Sequence, residues 1–177
     1  MKLHRIFNIG ITSFIITLTI SCSGDNLDFR EATAEDILSA VSEYRGEKAV
    51  LVNFWATWCV PCIEEFPMIV DLSEQYADDV KVLFVSGDWL DYKERARNYL
   101  KERGVDGLSF IQNLKDNEFI NGIHKDWSGA LPFTIVYGKK SGNVVDFFER
   151  KLSEERSILV SFLRVSLAIG PATFIEA

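Results

Sequence analysis

Cysteine and histidine are scarce in this chain: three Cys and two His in 177 residues. So few thiols exclude a disulfide-stapled scaffold, and so few imidazoles leave little for a multi-ligand metal centre. Positive charge is short as well. Nineteen Lys and Arg stand against 26 Asp and Glu, a formal net charge of −7. An acidic chain of this kind lacks the basic footprint that general nucleic-acid binding needs, so nucleic acid is not an expected partner. No internal repeat is visible. What is present is a balance of 47% hydrophobic and 25% charged residues, which suits one packed domain with an appendage and excludes a disordered or collagen-like chain.

The appendage is at the start. Lys2 and Arg5 precede a stretch from Ile6 to Ile20 that carries no charge, and Ser21-Cys22-Ser23-Gly24 closes it. A basic start, an apolar run of this length and small residues at its end read as an export signal over residues 1–21. The run is too short and too rich in Thr and Ser for a comfortable spanning helix. With Cys22 directly at the boundary, the pattern resembles a bacterial lipoprotein signal, in which that cysteine is acylated and becomes the mature N-terminus. Thr19 departs from the aliphatic residue usual three positions before the cysteine. The alternative is a plain export signal or an uncleaved anchor. The resemblance implies an exported, membrane-anchored lipoprotein facing the periplasm or cell exterior. Residues 22–32 read as a polar tether, 33–169 as the folded domain and 170–177 as a tail.

Within the domain, Thr33 with Glu35 and Asp36 marks a helix start, and Gly46 its stop. Ala49 to Trp55 is a nearly continuous apolar run of β-formers, a strand buried on both faces. A helix follows, with Phe66, Ile69, Leu72 and Tyr76 on one face. Val80 to Ser86 is a second buried strand, which completes a βαβ unit with parallel pairing. Further on, the pattern predicts a helix over 91–103 with Tyr92, Ala96 and Tyr99 inward, a short strand over 108–112 and a short helix over 115–123. A hairpin of 133–137 with 144–149 comes next, then a final helix from Ser153. The expected fold is α/β: a mixed sheet flanked by helices on both faces.

The chemistry concentrates in Trp58-Cys59-Val60-Pro61-Cys62, between the first buried strand and its helix. A cysteine at a helix N-terminus faces unpaired N–H groups and the positive end of the helix dipole, and both favour thiolate over thiol. Cys59 is therefore the expected nucleophile. Cys62, one turn inside, can attack the first sulfur and close a disulfide. Pro61 is tolerated there because first-turn N–H groups have no helical partner. A zinc site wants four ligands, and these two thiols with a distant His124 fall short unless carboxylates join them. No cofactor or metal is expected.

The string Val52-Asn53-Phe54-Trp55-Ala56-Thr57-Trp58-Cys59-Val60-Pro61-Cys62, continued by Glu65-Phe66-Pro67, resembles the TlpA/ResA branch of thioredoxin-like proteins, exported thiol–disulfide oxidoreductases that are often membrane-tethered. Gly129-Ala130-Leu131-Pro132-Phe133-Thr134 is similar to the cis-proline site of that family. The resemblance covers roughly residues 46–165. Thioredoxin itself is a poorer match, because it carries a buried Asp where this chain has Asn53. The long segment from Ser86 to Pro132 has room for the strand–helix insertion before the cis-proline that is typical of the branch.

The resemblance implies that Pro132 is cis and faces the cysteines, and that Leu131 offers its backbone to an extended substrate; otherwise Pro132 simply opens a strand. Trp58 is expected on the rim beside the nucleophile. Glu65 is either a solvated helix residue or lies near the cysteines and tunes their proton balance. Asn53 cannot carry a proton as a buried acid could. The expected function is an envelope thiol–disulfide oxidoreductase that reduces protein disulfides. The family implies clients such as apocytochrome c, and a membrane thiol-transfer protein as electron donor. The alternative is a thioredoxin-like module that binds or delivers a metal through the same two cysteines. A peroxidase ranks lower, since the Pro/Thr context of a peroxidatic cysteine is absent.

Overall fold

A computed structural model describes residues 26–113 and 116–152. The export signal, Cys22 and the helix expected from Ser153 lie outside the described residues. The elements run β1 (Leu27–Ala32), α1 (Ala34–Glu43), β2 (Ala49–Trp55), α2 (Val60–Gln75), β3 (Val80–Ser86), α3 (Lys93–Glu102), β4 (Gly107–Gln112), α4 (Asp116–Ile123), β5 (Phe133–Tyr137) and β6 (Val144–Phe148). They build one six-stranded sheet in the order β1-β4-β3-β2-β5-β6. The first four strands of that order are mutually parallel, while β5 runs antiparallel to both β2 and β6. This is the α/β thioredoxin-like mixed sheet that the sequence implied, and β4 with α4 supplies the added strand and helix before Pro132.

Both faces of the sheet are covered. Phe66, Ile69 and Leu72 of α2 join Ala96 and Leu100 of α3 in one core. Ile37 and Val41 of α1 join Phe119 and Ile123 of α4 in the other. Every residue of β2 is buried, which explains its unbroken apolar run: a central strand under two helical layers has no solvent face. Thr33 caps α1 in a reciprocal capping box with Asp36, and Gly46 follows the helix at φ 89°, a left-handed conformation that glycine adopts without a Cβ penalty.

Two expectations need correction. The tether over 22–32 gives way at Leu27 to β1, which pairs in parallel with β4 from Leu27↔Gly107 to Ala32↔Gln112. The polar letters of this stretch hid Leu27, Phe29 and Ala32, all buried, because Leu27 and Phe29 face one core and Ala32 the other, with only polar residues between them. Tyr92 is exposed rather than inward. Residues Leu90–Tyr92 form a separate 3-10 turn ahead of α3, so Tyr92 does not share the phase of Ala96.

Candidate active site

Three segments meet at one edge of the sheet: the turns after the parallel strands β2 and β3, and the loop that enters the antiparallel β5. The C-terminal edge of parallel strands is where α/β folds place their sites.

Cys59 is the N-cap of α2, with Val60 and Pro61 opening the helix. Its sulfur receives the backbone N–H of Cys62 at 3.3 Å, the bond that a serine or aspartate oxygen makes in an ordinary N-cap. No acidic residue stands in the first turn of α2, so nothing there competes with an anionic sulfur for the helix dipole. Cys59 and Cys62 are joined as a disulfide. Of the pair only Cys59 keeps any solvent contact, 4% against 0%. Trp58, the residue before it, is exposed.

The turn that carries the cysteine is held from behind. Cys59 donates its backbone N–H to the Ala56 carbonyl at 3.1 Å, closing a turn through Thr57 and Trp58. Asp88, buried just past β3, accepts from the Thr57 N–H at 2.9 Å and the Thr57 hydroxyl at 2.7 Å. It also accepts from the Ser86 hydroxyl at 2.8 Å. These bonds to a carboxylate are of the stronger, charge-assisted kind.

Glu65 is buried, not solvated. Its carboxylate accepts from the Asn53 amide at 3.1 Å and the Leu152 backbone N–H at 2.8 Å. The Asn53 amide also donates to the Thr134 hydroxyl at 3.0 Å, which ties α2, β2 and β5 together under the cysteines. Burial pushes the Glu65 carboxyl above its ordinary value, against the opposing pull of the Leu152 N–H, the Asn53 amide and the Lys151 charge. Cys62 lies three residues earlier on the same helix, hence on the same face.

The Leu131–Pro132 peptide bond is cis. Pro132 immediately precedes β5, whose Phe133 pairs with Phe54 at the end of β2, so the proline sits next to the strand end that leads to Cys59. Glu149 fixes the loop before it: its carboxylate accepts from the Ser128 and Ala130 backbone N–H groups at 3.0 and 3.1 Å, and from the Ser128 hydroxyl. Gly129 takes φ +92° in this loop with Ile120 against its Cα, so a side chain there would meet both strain and collision. His124 packs at a tilt against Phe147 and accepts the Asp126 N–H. No group of three or more His, Cys, Asp or Glu side chains comes together among the described residues, so the metal-delivery alternative gains no third ligand there.

Sequence reasoning missed Asp88 and Glu149. Asp88 had a signal: a Ser-Gly-Asp turn directly after a buried strand, at the edge where sites form. Glu149 had none, because its partners are 19 to 21 residues away.

The AhpC/TSA family profile matches residues 25–175. The chain belongs to the AhpC/TSA family. Among relatives, the thiol–disulfide oxidoreductase ResA of Oceanobacillus iheyensis is 48% identical over 112 residues, 62% of this chain and 53% of that protein. The thioredoxin-like protein YneN of Bacillus subtilis is 42% identical over 59 residues, 33% of this chain and 34% of that protein. The chain therefore spans about half of the first and about a third of the second. A thiol–disulfide isomerase structure from Corynebacterium glutamicum superimposes with a TM-score of 0.61 at 15% identity, covering 73% of this chain and 86% of that one; at that identity it speaks for the fold. Fold and cysteine pair are those of the thioredoxin-like thiol–disulfide oxidoreductases in the AhpC/TSA family, as the TlpA/ResA resemblance implied.

Proposed function

We propose that the protein reduces disulfides of other proteins outside the cytoplasm, held to a membrane through Cys22. The observation that carries the chemistry is the Cys59 sulfur at the N-cap of α2, bonded to Cys62 and receiving its N–H. In the reduced state the Cys59 thiolate attacks one sulfur of a client disulfide. The client S–S bond breaks, a Cys59–client bond forms, and the client's other sulfur leaves as thiolate. Cys62 then gives up its proton and attacks the Cys59 sulfur. The Cys59–client bond breaks, the client's second sulfur leaves as thiolate and takes up a proton, the Cys59–Cys62 bond forms, and two electrons have passed to the client. A dithiol donor, in this reading a membrane thiol-transfer protein, restores the pair. Apocytochrome c is the client class that the TlpA/ResA resemblance brings. Trp58, Leu131 and Pro132 form the substrate side of the site.

The reducing direction is supported by how little stabilises the thiolate. A strong oxidant such as DsbA owes its potential to a stabilised reduced form. Here a single N–H is directed at the Cys59 sulfur, and Val60 and Pro61 bring no cation. The expected reduction potential, measured by equilibration with glutathione, lies near thioredoxin's value of about −270 mV. A value near about −120 mV reverses the direction and makes the protein an oxidant.

Glu65 is assigned the proton balance of the buried pair. Its carboxyl is raised by burial, so the fold favours the protonated form. The sign follows: the associated stability is fully present below the ordinary Glu value of about 4.3 and is lost as pH rises through the higher folded value. Wild type is therefore expected to lose stability relative to Glu65→Gln as pH rises from about 4.3. Denaturant unfolding of both proteins at a series of pH values reads this directly. A difference that stays constant across the series removes the buried-acid role.

A further inference from the structure

A groove of about 810 Å3 opens beside the cysteines, between the turns after β2 and β3 and the loop that enters β5. Its rim carries two indoles, Trp58 at 60% and Trp89 at 74% exposure. Resting on the oxidoreductase reading, we propose that this groove selects clients. It takes the polypeptide segment that flanks the client's cystine, with an aromatic or large aliphatic side chain against Trp58 and Trp89 and a basic side chain toward Asp91.

Single exposed apolar residues are ordinary on a protein surface, but a contiguous set around a concavity marks an interaction site. Here Leu90, also exposed, lines the groove next to Trp89. Tryptophan is costly to leave in water, since each indole offers roughly 150–250 Å2 for burial. The floor is pre-formed. Phe54 packs against Phe119 and Trp127, with ring centroids 6.1 and 4.8 Å apart, and Trp127 is pinned by its indole N–H to the Ala130 carbonyl at 3.0 Å. A rigid floor spares the binding step the cost of ordering side chains.

Continuity with the reacting sulfur selects the occupant. Trp58 directly precedes Cys59, and Leu131, which lines the opposite wall, directly precedes the cis-proline. A polypeptide whose disulfide reaches Cys59 therefore lays its flanking residues into the groove. Charge narrows the choice. The described lining holds Asp88 and Asp91 and no Lys or Arg. The Asp88 oxygens are occupied by Thr57 and Ser86, which leaves the exposed Asp91 to meet a cationic side chain.

The test uses the reduced full-length protein and three disulfides. One is a synthetic peptide with an internal cystine flanked by Trp and Lys. The second is the same peptide with Gly and Glu in those places. The third is glutathione disulfide, which is too small to span the groove. Stopped-flow oxidation of the wild type is expected to be about tenfold faster with the Trp/Lys peptide than with the Gly/Glu peptide. Trp89→Ala lowers the ratio of the Trp/Lys-peptide rate to the glutathione rate about tenfold. Asp91→Lys shifts the preference toward the acidic peptide. Equal rates for the two peptides overturn the proposal, as does a Trp89→Ala protein whose peptide-to-glutathione ratio is that of wild type. Exchange with glutathione but without peptide preference defeats the groove alone. Failure to exchange with any of the three disulfides defeats the oxidoreductase reading, and the groove with it.

Discussion

Cys62→Ser is expected to accumulate mixed disulfides with its clients, and Cys59→Ser to lose exchange almost completely. The difference comes from where α2 places each sulfur. Cys59 occupies the N-cap, where helix N–H groups favour its thiolate, and it alone of the pair touches solvent. Removing it removes the attacking atom, and single-residue losses of this kind cost several orders of magnitude, about 10^3 or more. Removing Cys62 leaves the attack intact and deletes the step that releases the client. Cys62 cannot substitute, because it is wholly buried one turn inside the helix. Mass spectrometry of complexes trapped by each variant measures the contrast. Equal trapping by both variants reverses the assignment of nucleophile and resolver.

Asp88→Ala is expected to cost about 2–4 kcal/mol of stability and to slow attack by Cys59, although Asp88 belongs to neither the helix nor the motif. The carboxylate satisfies the Thr57 N–H, the Thr57 hydroxyl and the Ser86 hydroxyl together. A hydrogen bond to a charged group contributes roughly 1.5–3 kcal/mol, and a buried donor left without a partner is costly in its own right. Against a typical total of about 5–15 kcal/mol this is a large fraction. The kinetic effect arises because Thr57 sits in the turn that ends at Cys59, and a misplacement of about 1 Å can cost up to roughly 10^2-fold in rate. Asp88→Asn, of the same shape, is expected to recover most of the rate. Denaturant unfolding and iodoacetamide alkylation of the reduced variants check both parts. Asp88→Ala unfolding within about 0.5 kcal/mol of wild type, or alkylating at the wild-type rate, sets the clamp aside.

What the sequence made legible was whatever is local. β2 and β3 announce themselves as apolar runs because helices cover both their faces. The N-cap cysteine is readable from CxxC placed between a strand and a helix, and the Gly-Ala-Leu-Pro string located the cis bond. Edge geometry hid the rest. β1 buries Leu27, Phe29 and Ala32 with no regular period, so they vanish among Asp, Arg and Glu. Glu65 could be read as solvated or buried because its partners, Asn53 and Leu152, lie 12 and 87 residues away. Asp88 and Glu149 work through loops that meet only after the sheet has formed. The exposure of Tyr92 follows from the 3-10 turn that shifts its phase relative to α3.

The direction of β1 sets the geometry of attachment. Because β1 runs parallel to β4, β4 to β3 and β3 to β2, Leu27 enters the sheet at the end remote from Trp55 and the cysteine turn. Glu31 stands level with Trp55 through Ile111 and Ser86, so Leu27, four residues earlier at about 3.3 Å each, lies roughly 13 Å from that level. The described chain therefore begins below the level of the cysteine turn. A label coupled at residue 26 attaches away from the cysteine turn, on the side where the parallel strands begin.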